Sequence, residues 1–390
     1  MPDPEDRQVT PESPVREIAS EGAEGPPSPG IALCLSGGGY RAMIFHVGVL
    51  WRLNEAGYLP RLARVSSVSG GSITAGVLGL KWSRLAFDGA KVAQGFRAEV
   101  VDPLRALAGR TIDAGAIVGG VVLPGVSVGE RVEAAYRKHL FGDATLQALP
   151  DQPRFVINAT NVQSGALWRF SKPYLADYRV GRVLKPPLPL ARAVAASSAF
   201  PPVLSPVELE LRAQDWEAPA AAGADLNHEP FTTEVVLSDG GVYDNLGLET
   251  AWKRYQTVLV SDAGGKMQAE AEPERDWARH VLRILEIIDN QVRSLRKRQV
   301  IAAYQRGDRK GAYWGIRSNI ADYRLPDALD CPFDRTLALA GIATRLARME
   351  AEQQERLINW GYAVCDAALR RHVDAGIARP AGFPYPGVGV

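Results

Sequence analysis

The sequence predicts an α/β protein with a central, mostly parallel sheet flanked by helices. Three observations predict it. Short apolar runs alternate with stretches of helical periodicity. The first two junctions between them are crowded with glycine and serine. The last third of the chain changes to long amphipathic segments. Parallel strands need crossover connections, and helices placed between strands supply them. With 390 residues, 46% of them hydrophobic, the chain can bury a sizeable core.

The elements follow in order. Residues 1–29 are rich in Pro, Glu and Ser and poor in apolar side chains, so a disordered tail is expected. This tail lacks the basic-then-apolar layout of a secretory signal. IALCL (31–35) reads as a buried strand. YRAMIFHVGVLWRLNEAGYLP (40–60) has helical spacing, a stop at Gly57 and Pro60 beyond it. Three glycines and Arg41 interrupt the apolar stretch 30–50, which excludes it as a membrane span. LARVSSV (62–68) reads as the second strand and 71–82 as the second helix. Further strands are expected at 154–160, 234–239 and 257–263. A helix is expected at 190–200, stopping before Pro201-Pro202. The segment 114–130 is apolar and glycine-rich without a period, and reads as a mobile cover over a site or as a buried loop. From about Pro273, residues 275–305 and 336–373 are long and amphipathic, and are expected to form helices packed on the same core. The domain division is thus a tail (1–29), a core (30–270) and a helical extension (271–390) integral to the same domain.

Charge and cysteines narrow the function. Lys and Arg number 45 against 44 Asp and Glu, with no dominant basic block, so nucleic acid is not an expected partner. The basic run RSLRKRQ (293–299) reads either as a solvated face or as a contact for anionic lipid headgroups. Cys34, Cys331 and Cys365 form no CxxC pair. Neither a zinc site nor a disulfide framework is expected, and a reducing compartment fits best. That reading puts the chain in the cytoplasm or at the inner face of the membrane. No calcium-loop pattern occurs, and no metal or other cofactor is expected. The sequence does not specify an oligomeric state.

Two small-residue turns carry chemistry. A nucleophile held on a sharp strand-to-helix turn needs small neighbours two residues to either side, as in G-x-S-x-G. Ser67-Val68-Ser69-Gly70-Gly71 fits that frame, with Ser67 in place of the first glycine and Gly71 as the last. Ser69 is the candidate nucleophile; a packed small-residue turn is the other reading. LSGGGYRA (35–42) places three glycines between a strand and a helix. It matches neither GxxxxGK[ST] nor GxGxxG, so an oxyanion hole from Gly38 and Gly39 fits better than a phosphate cradle. Arg41 would add charge there or pair with a carboxylate.

A serine nucleophile also needs a base. His46 lies on an apolar helix, His139 on a charged one, and His228 in an irregular acidic segment. His280 and His372 remain as partners for an ordinary triad, the alternative reading. A desolvated carboxylate can serve instead. Asp239 ends the strand EVVLSD and is followed by Gly240-Gly241, at the strand edge where α/β sheets place their sites. Asp244 and Asn245 are expected to shape and cap the next helix.

The set SGGGYRA, SSVSGGS and DGGVYDN, in that order, resembles the patatin-like phospholipase family. ASSAFPPVLSPV (196–207) resembles a further family segment, and the resemblance spans roughly residues 30–265. It implies a sandwich of helices around a mixed or parallel sheet, and hydrolysis of lipid acyl esters by a Ser–Asp dyad without a catalytic histidine. By position it implies Ser69 as nucleophile and Asp239 as base. It implies Gly37, Gly38 and Gly39 as the oxyanion hole with Arg41 beside them, and a phospholipid or other acyl lipid as substrate, met at a membrane surface. Ser67 is the departure from the pattern, and its side chain is still small. A catalytically silent or regulated lipid binder of the same fold is the reading from another class.

Overall fold

A computed structural model describes residues 26–112, 128–217, 225–265 and 267–390. The expected tail lies outside these residues except at its end, and so does most of the 114–130 segment. In chain order the elements are β1 (Ser28–Leu35), α1 (Gly39–Glu55), β2 (Leu62–Val68), α2 (Gly70–Lys81), α3 (Asp102–Ala108) and α4 (Val128–Tyr136). Next come β3 (Arg154–Asn161), β4 (Leu167–Ser171), β5 (Tyr174–Asp177), β6 (Gly181–Leu184), α5 (Leu190–Ser197), β7 (Val207–Glu210) and β8 (Trp216–Glu217). The rest are β9 (Glu234–Asp239), α6 (Gly241–Asp244), α7 (Glu249–Trp252), β10 (Tyr255–Asp262), α8 (Trp277–Arg306), β11 (Lys310–Gly315), α9 (Phe333–Ala340) and α10 (Ala351–His372).

One sheet organises the molecule. Its centre runs β11-β10-β1-β2-β3, every neighbouring pair parallel. Beyond β3 an antiparallel meander continues through β4, β5, β6 and β8. The central strands are buried on both faces, as a parallel sheet covered by helices requires. Side chains alternate across β1. Leu33 and Leu35 join the core under α1, α2 and α10, while Ala32 and Cys34 join a smaller core with Leu248, Ala251 and Val300. Fifteen of the seventeen residues of α1 are buried, because α1 lies between the sheet and α10. Among the described residues no helix is long and apolar enough to cross a membrane.

The register of β3 positions the site. Its first half pairs with β2, ending at Val68 opposite Asn158. β4 holds the other edge as far as Thr160. β9 pairs with Ala159–Asn161, so it must take over the edge that β2 leaves. Asp239, opposite Ala159, therefore ends one residue along β3 from the end of β2, where Ser69 begins the turn.

Two expectations change. The helix expected at 275–305 forms as α8, but it packs on the body only near its C-terminal end, where Val300 and Ala303 are buried, and its large apolar side chains before Val300 are exposed. The segment 336–373 is not continuous helix: α9 stops at Ala340 and α10 starts at Ala351. The intervening loop serves tertiary contacts instead. The Arg345 carbonyl accepts from Tyr40 N–H and the Leu346 carbonyl from Ile112 N–H.

Candidate active site

Ser69 stands between β2 and α2 with φ 52° and ψ −122°. A non-glycine residue at positive φ outside the left-handed helical region is strained, and the surroundings must enforce it. Here they do. A Cβ on Gly70 would lie 2.1 Å from the Gly39 carbonyl oxygen, and one on Gly71 would lie 2.5 Å from that of Leu35. The elbow and the glycine loop thus approach at backbone contact, which only glycine permits. Ser69 N–H donates to Ser197 Oγ at 3.0 Å, and Ser197 Oγ–H donates to the Asn158 carbonyl at 2.6 Å. Ser72 Oγ lies 2.8 Å from Ser197 Oγ and 3.0 Å from Ser67 Oγ. Ser67 is fully buried, so its small side chain is both accommodated and hydrogen-bonded.

Asp239 is held by its backbone. Its N–H donates to the Ala199 carbonyl, and its own carbonyl accepts from Thr160 Oγ1 at 2.8 Å. Oδ1 accepts from Gly241 N–H at 2.6 Å. Oδ2 is buried and has no hydrogen-bond partner among the described residues, and the Ser69 hydroxyl is near enough to lower the carboxyl's pKa. Burial raises the Asp239 pKa to about 7, against the lowering effects of the Gly241 N–H and Ser69, with Asp289 adding a smaller push upward. An orphaned carboxylate oxygen beside a strained serine is an arrangement that can take a proton from it.

The glycine loop divides. Gly37 N–H donates to the Asn245 carbonyl at 3.1 Å, so it is already engaged. Its Cα sits against the serine: a Cβ there would lie 3.1 Å from Ser69 Cβ. Gly38 (φ 138°) and Gly39 (φ 58°) take conformations that favour glycine, and among the described residues neither N–H has an acceptor. Arg41 is buried and forms no ion pair among the described residues. Its Nε and Nη2 donate to the Ala263 carbonyl at 3.2 and 3.1 Å, and its Nη1 donates to the Ile342 carbonyl. Burial lowers its pKa to about 10. Arg41 therefore fastens the start of α1 to the chain after β10 and after α9. Asp244 accepts from Glu249 N–H at 2.7 Å, capping α7.

The histidines stand apart from this pair. His46 is fully buried between Ser261 Oγ and the Ser36 carbonyl, at 3.0 Å from each, and burial lowers its pKa to about 4. His228, His280 and His372 are exposed and His139 is half-buried. None is hydrogen-bonded to Ser69 or Asp239. Ser197 and Asn158 support the elbow and were missed in the sequence; the only signal was the ASSAF string, whose serines carry no pattern of their own.

A parallel sheet whose strand ends gather a strained serine, a glycine loop and a buried carboxylate defines an α/β protein with a candidate site at its strand ends. The chain belongs to the patatin-like phospholipase family, whose model matches residues 33–252, more than half its length. No curated protein sequence matches. Among solved structures, human GIVD cytosolic phospholipase A2 in complex with methyl gamma-linolenyl fluorophosphonate is similar, at 13% identity and TM-score 0.48. That match covers 87% of this chain and 57% of the human one. Another structure of the human protein gives 13% identity and TM-score 0.37, covering 60% of this chain and 45% of that one. VipD from Legionella pneumophila gives 16% and 0.35, covering 89% and 68%. The chain spans about half the length of the human protein it matches.

Proposed function

We propose that the chain is a lipid acyl hydrolase of the phospholipase A or lysophospholipase type, acting through a Ser69–Asp239 dyad. The observation that carries the reading is the buried, unpartnered Asp239 Oδ2 beside a serine held at φ 52°. Asp239 takes the Ser69 proton as Oγ attacks the ester carbonyl carbon. The N–H groups of Gly38 and Gly39 stabilise the oxyanion, and losing one such donor would cost about 3 kcal/mol of barrier. The bond to the alcohol breaks and the alcohol leaves with the proton held by Asp239. Water then gives a proton to Asp239, attacks the acyl-enzyme, and releases the fatty acid as Ser69 recovers its proton. The substrate is a phospholipid or other acyl lipid met at a membrane surface. Arg41 fits a supporting role, since backbone carbonyls use its donors.

Fatty-acid release from mixed phospholipid vesicles tests this. The wild type is expected to release fatty acid, unchanged by a chelator. Ser69→Ala and Asp239→Asn are expected to lose at least a thousandfold. A His280→Ala or His372→Ala variant that is equally silent would establish the triad instead. Fluorophosphonate labelling that vanishes in Ser69→Ala identifies the nucleophile directly.

A further inference from the structure

Nine of the sixteen exposed large apolar side chains among the described residues lie on α8. Trp277, Val281, Leu285, Ile288, Val292 and Leu295 are between 39% and 80% exposed. Their spacing of four, four, three, four and three residues sets them in one line. Along the first half of the helix Leu282 on one flank and Ile284 on the other widen the apolar arc to roughly 160°, at 3.6 residues per turn. Farther on, Asp289 and Arg296 occupy the Leu282 flank, and Ile287 falls outside the arc. A coiled-coil seam is narrower than this. On the opposite side Arg279 pairs with Glu274 and Asp276, and Arg283 with Glu270 and Glu286; Lys297, over the Tyr313 ring, and Arg298 have no acidic partner among the described residues. A wide apolar arc with unpaired cations on the polar side is the pattern of a helix that lies in a lipid interface.

The position of α8 fits that role. Its C-terminal half is fastened to the body beside the site. Arg296 lies 3.5 Å from Asp244 and 3.3 Å from Glu249, and Arg293 donates to the Gly265 carbonyl at 3.2 Å. Asp289, one turn earlier, is near enough to act on the Asp239 carboxyl. Other exposed apolar side chains belong to segments tied to Asp239. Val242 follows Gly241, and Phe200 follows Ala199, which accepts the Asp239 N–H.

We propose that the apolar arc of α8 is the surface by which the protein lies on an anionic phospholipid bilayer, bringing the Ser69 site against the lipid. Its purpose rests on the acyl-hydrolase reading; the binding itself does not. Flotation of the full chain, as Ser69→Ala, with phosphatidylcholine vesicles with and without phosphatidylglycerol measures binding without chemistry. Binding is expected to need the anionic lipid. It should fall at least tenfold in Leu285→Glu/Ile288→Glu, and also fall in Arg298→Glu, a change confined to the polar face. In an otherwise wild-type chain the first pair should leave hydrolysis of a soluble short-chain ester unchanged. Binding of the Leu285/Ile288 variant equal to that of the parent overturns the proposal. So does a parent that does not bind, or a dimer in sedimentation equilibrium that this variant dissociates, which would make the arc an interface between copies. If vesicles bind through the arc and no lipid is cleaved, the docking surface stands and the hydrolase reading falls.

Discussion

Asp239 has its pKa raised by burial to about 7, against the opposing Gly241 N–H and Ser69 hydroxyl. As a base it must be ionised, so kcat/KM on a soluble ester is expected to rise with pH through about 7 and level off above it. A rate that stays flat from pH 5 to 9 would remove Asp239 from that role. The same burial has a stability consequence. The folded-state pKa lies above the ordinary 3.8, so the folded chain holds this proton more tightly than the unfolded one. That contribution is complete below the ordinary carboxylate range and is lost as pH rises through about 7. Asp239→Asn should therefore be more stable than wild type at pH 8, by roughly 4 kcal/mol, and unfold at higher denaturant. The gap should narrow steadily towards pH 4, and urea titrations at both pH values check it. At this scale the candidate residues Ser69 and Asp239 were legible, since a small-residue turn and an aspartate before paired glycines leave local patterns. Ser197 left none. It reaches the Ser69 N–H through the packing of α5 against the end of β3, contacts that no spacing rule encodes.

Elements near the site are joined where side chains are missing. α1 and α10 cross at Gly48 and Gly361: a Cβ on Gly48 would lie 1.9 Å from the Ile358 carbonyl oxygen, and one on Gly361 would lie 2.0 Å from that of Phe45. Gly48→Ala must push the helices apart, at a cost of about 1–3 kcal/mol or more, read as a lower denaturation midpoint. A midpoint equal to wild type would mean that the crossing is looser than this geometry. Ser197→Ala belongs at the same scale. It leaves the Ser69 N–H buried without an acceptor, so a loss of about 1–3 kcal/mol is expected, together with a fall in kcat. The strong helices and the buried strands β1, β2, β3, β9 and β10 were legible because period and length agree with their final environment. The meander β4, β5, β6 and β8 was not. Its strands are two to five residues long and take their identity from pairing partners. The break between α9 and α10 was hidden for a related reason: 336–373 keeps helical character, and the loop is imposed by contacts to Tyr40 and Ile112.

At the scale of the whole molecule, the stretch matched by the family ends at residue 252, yet the sheet does not. β10 and β11 extend its parallel half, and α10 covers α1 on the side away from the strands. Leu357, Ile358, Trp360 and Val364 are fully buried. Trp360 Nε1–H donates to the Ile316 carbonyl just past β11 at 2.7 Å. Asp366, almost fully buried, receives both Arg52 of α1 and Arg370 at 2.8–3.0 Å. Removing one member of such a buried cluster leaves charge unpaired, so Asp366→Ala should cost about 3–5 kcal/mol. A chain ended at Met349 loses this cover altogether and strips α1 on its outer side. α1 begins at Gly39, in the loop proposed to bind the oxyanion, so the damage should reach Ser69. The truncated chain is expected to show no cooperative thermal transition and no fluorophosphonate labelling under conditions where the full chain labels. Cooperative unfolding with undiminished labelling would instead make residues 350–390 an appendage, and the site a property of the first 349 residues alone.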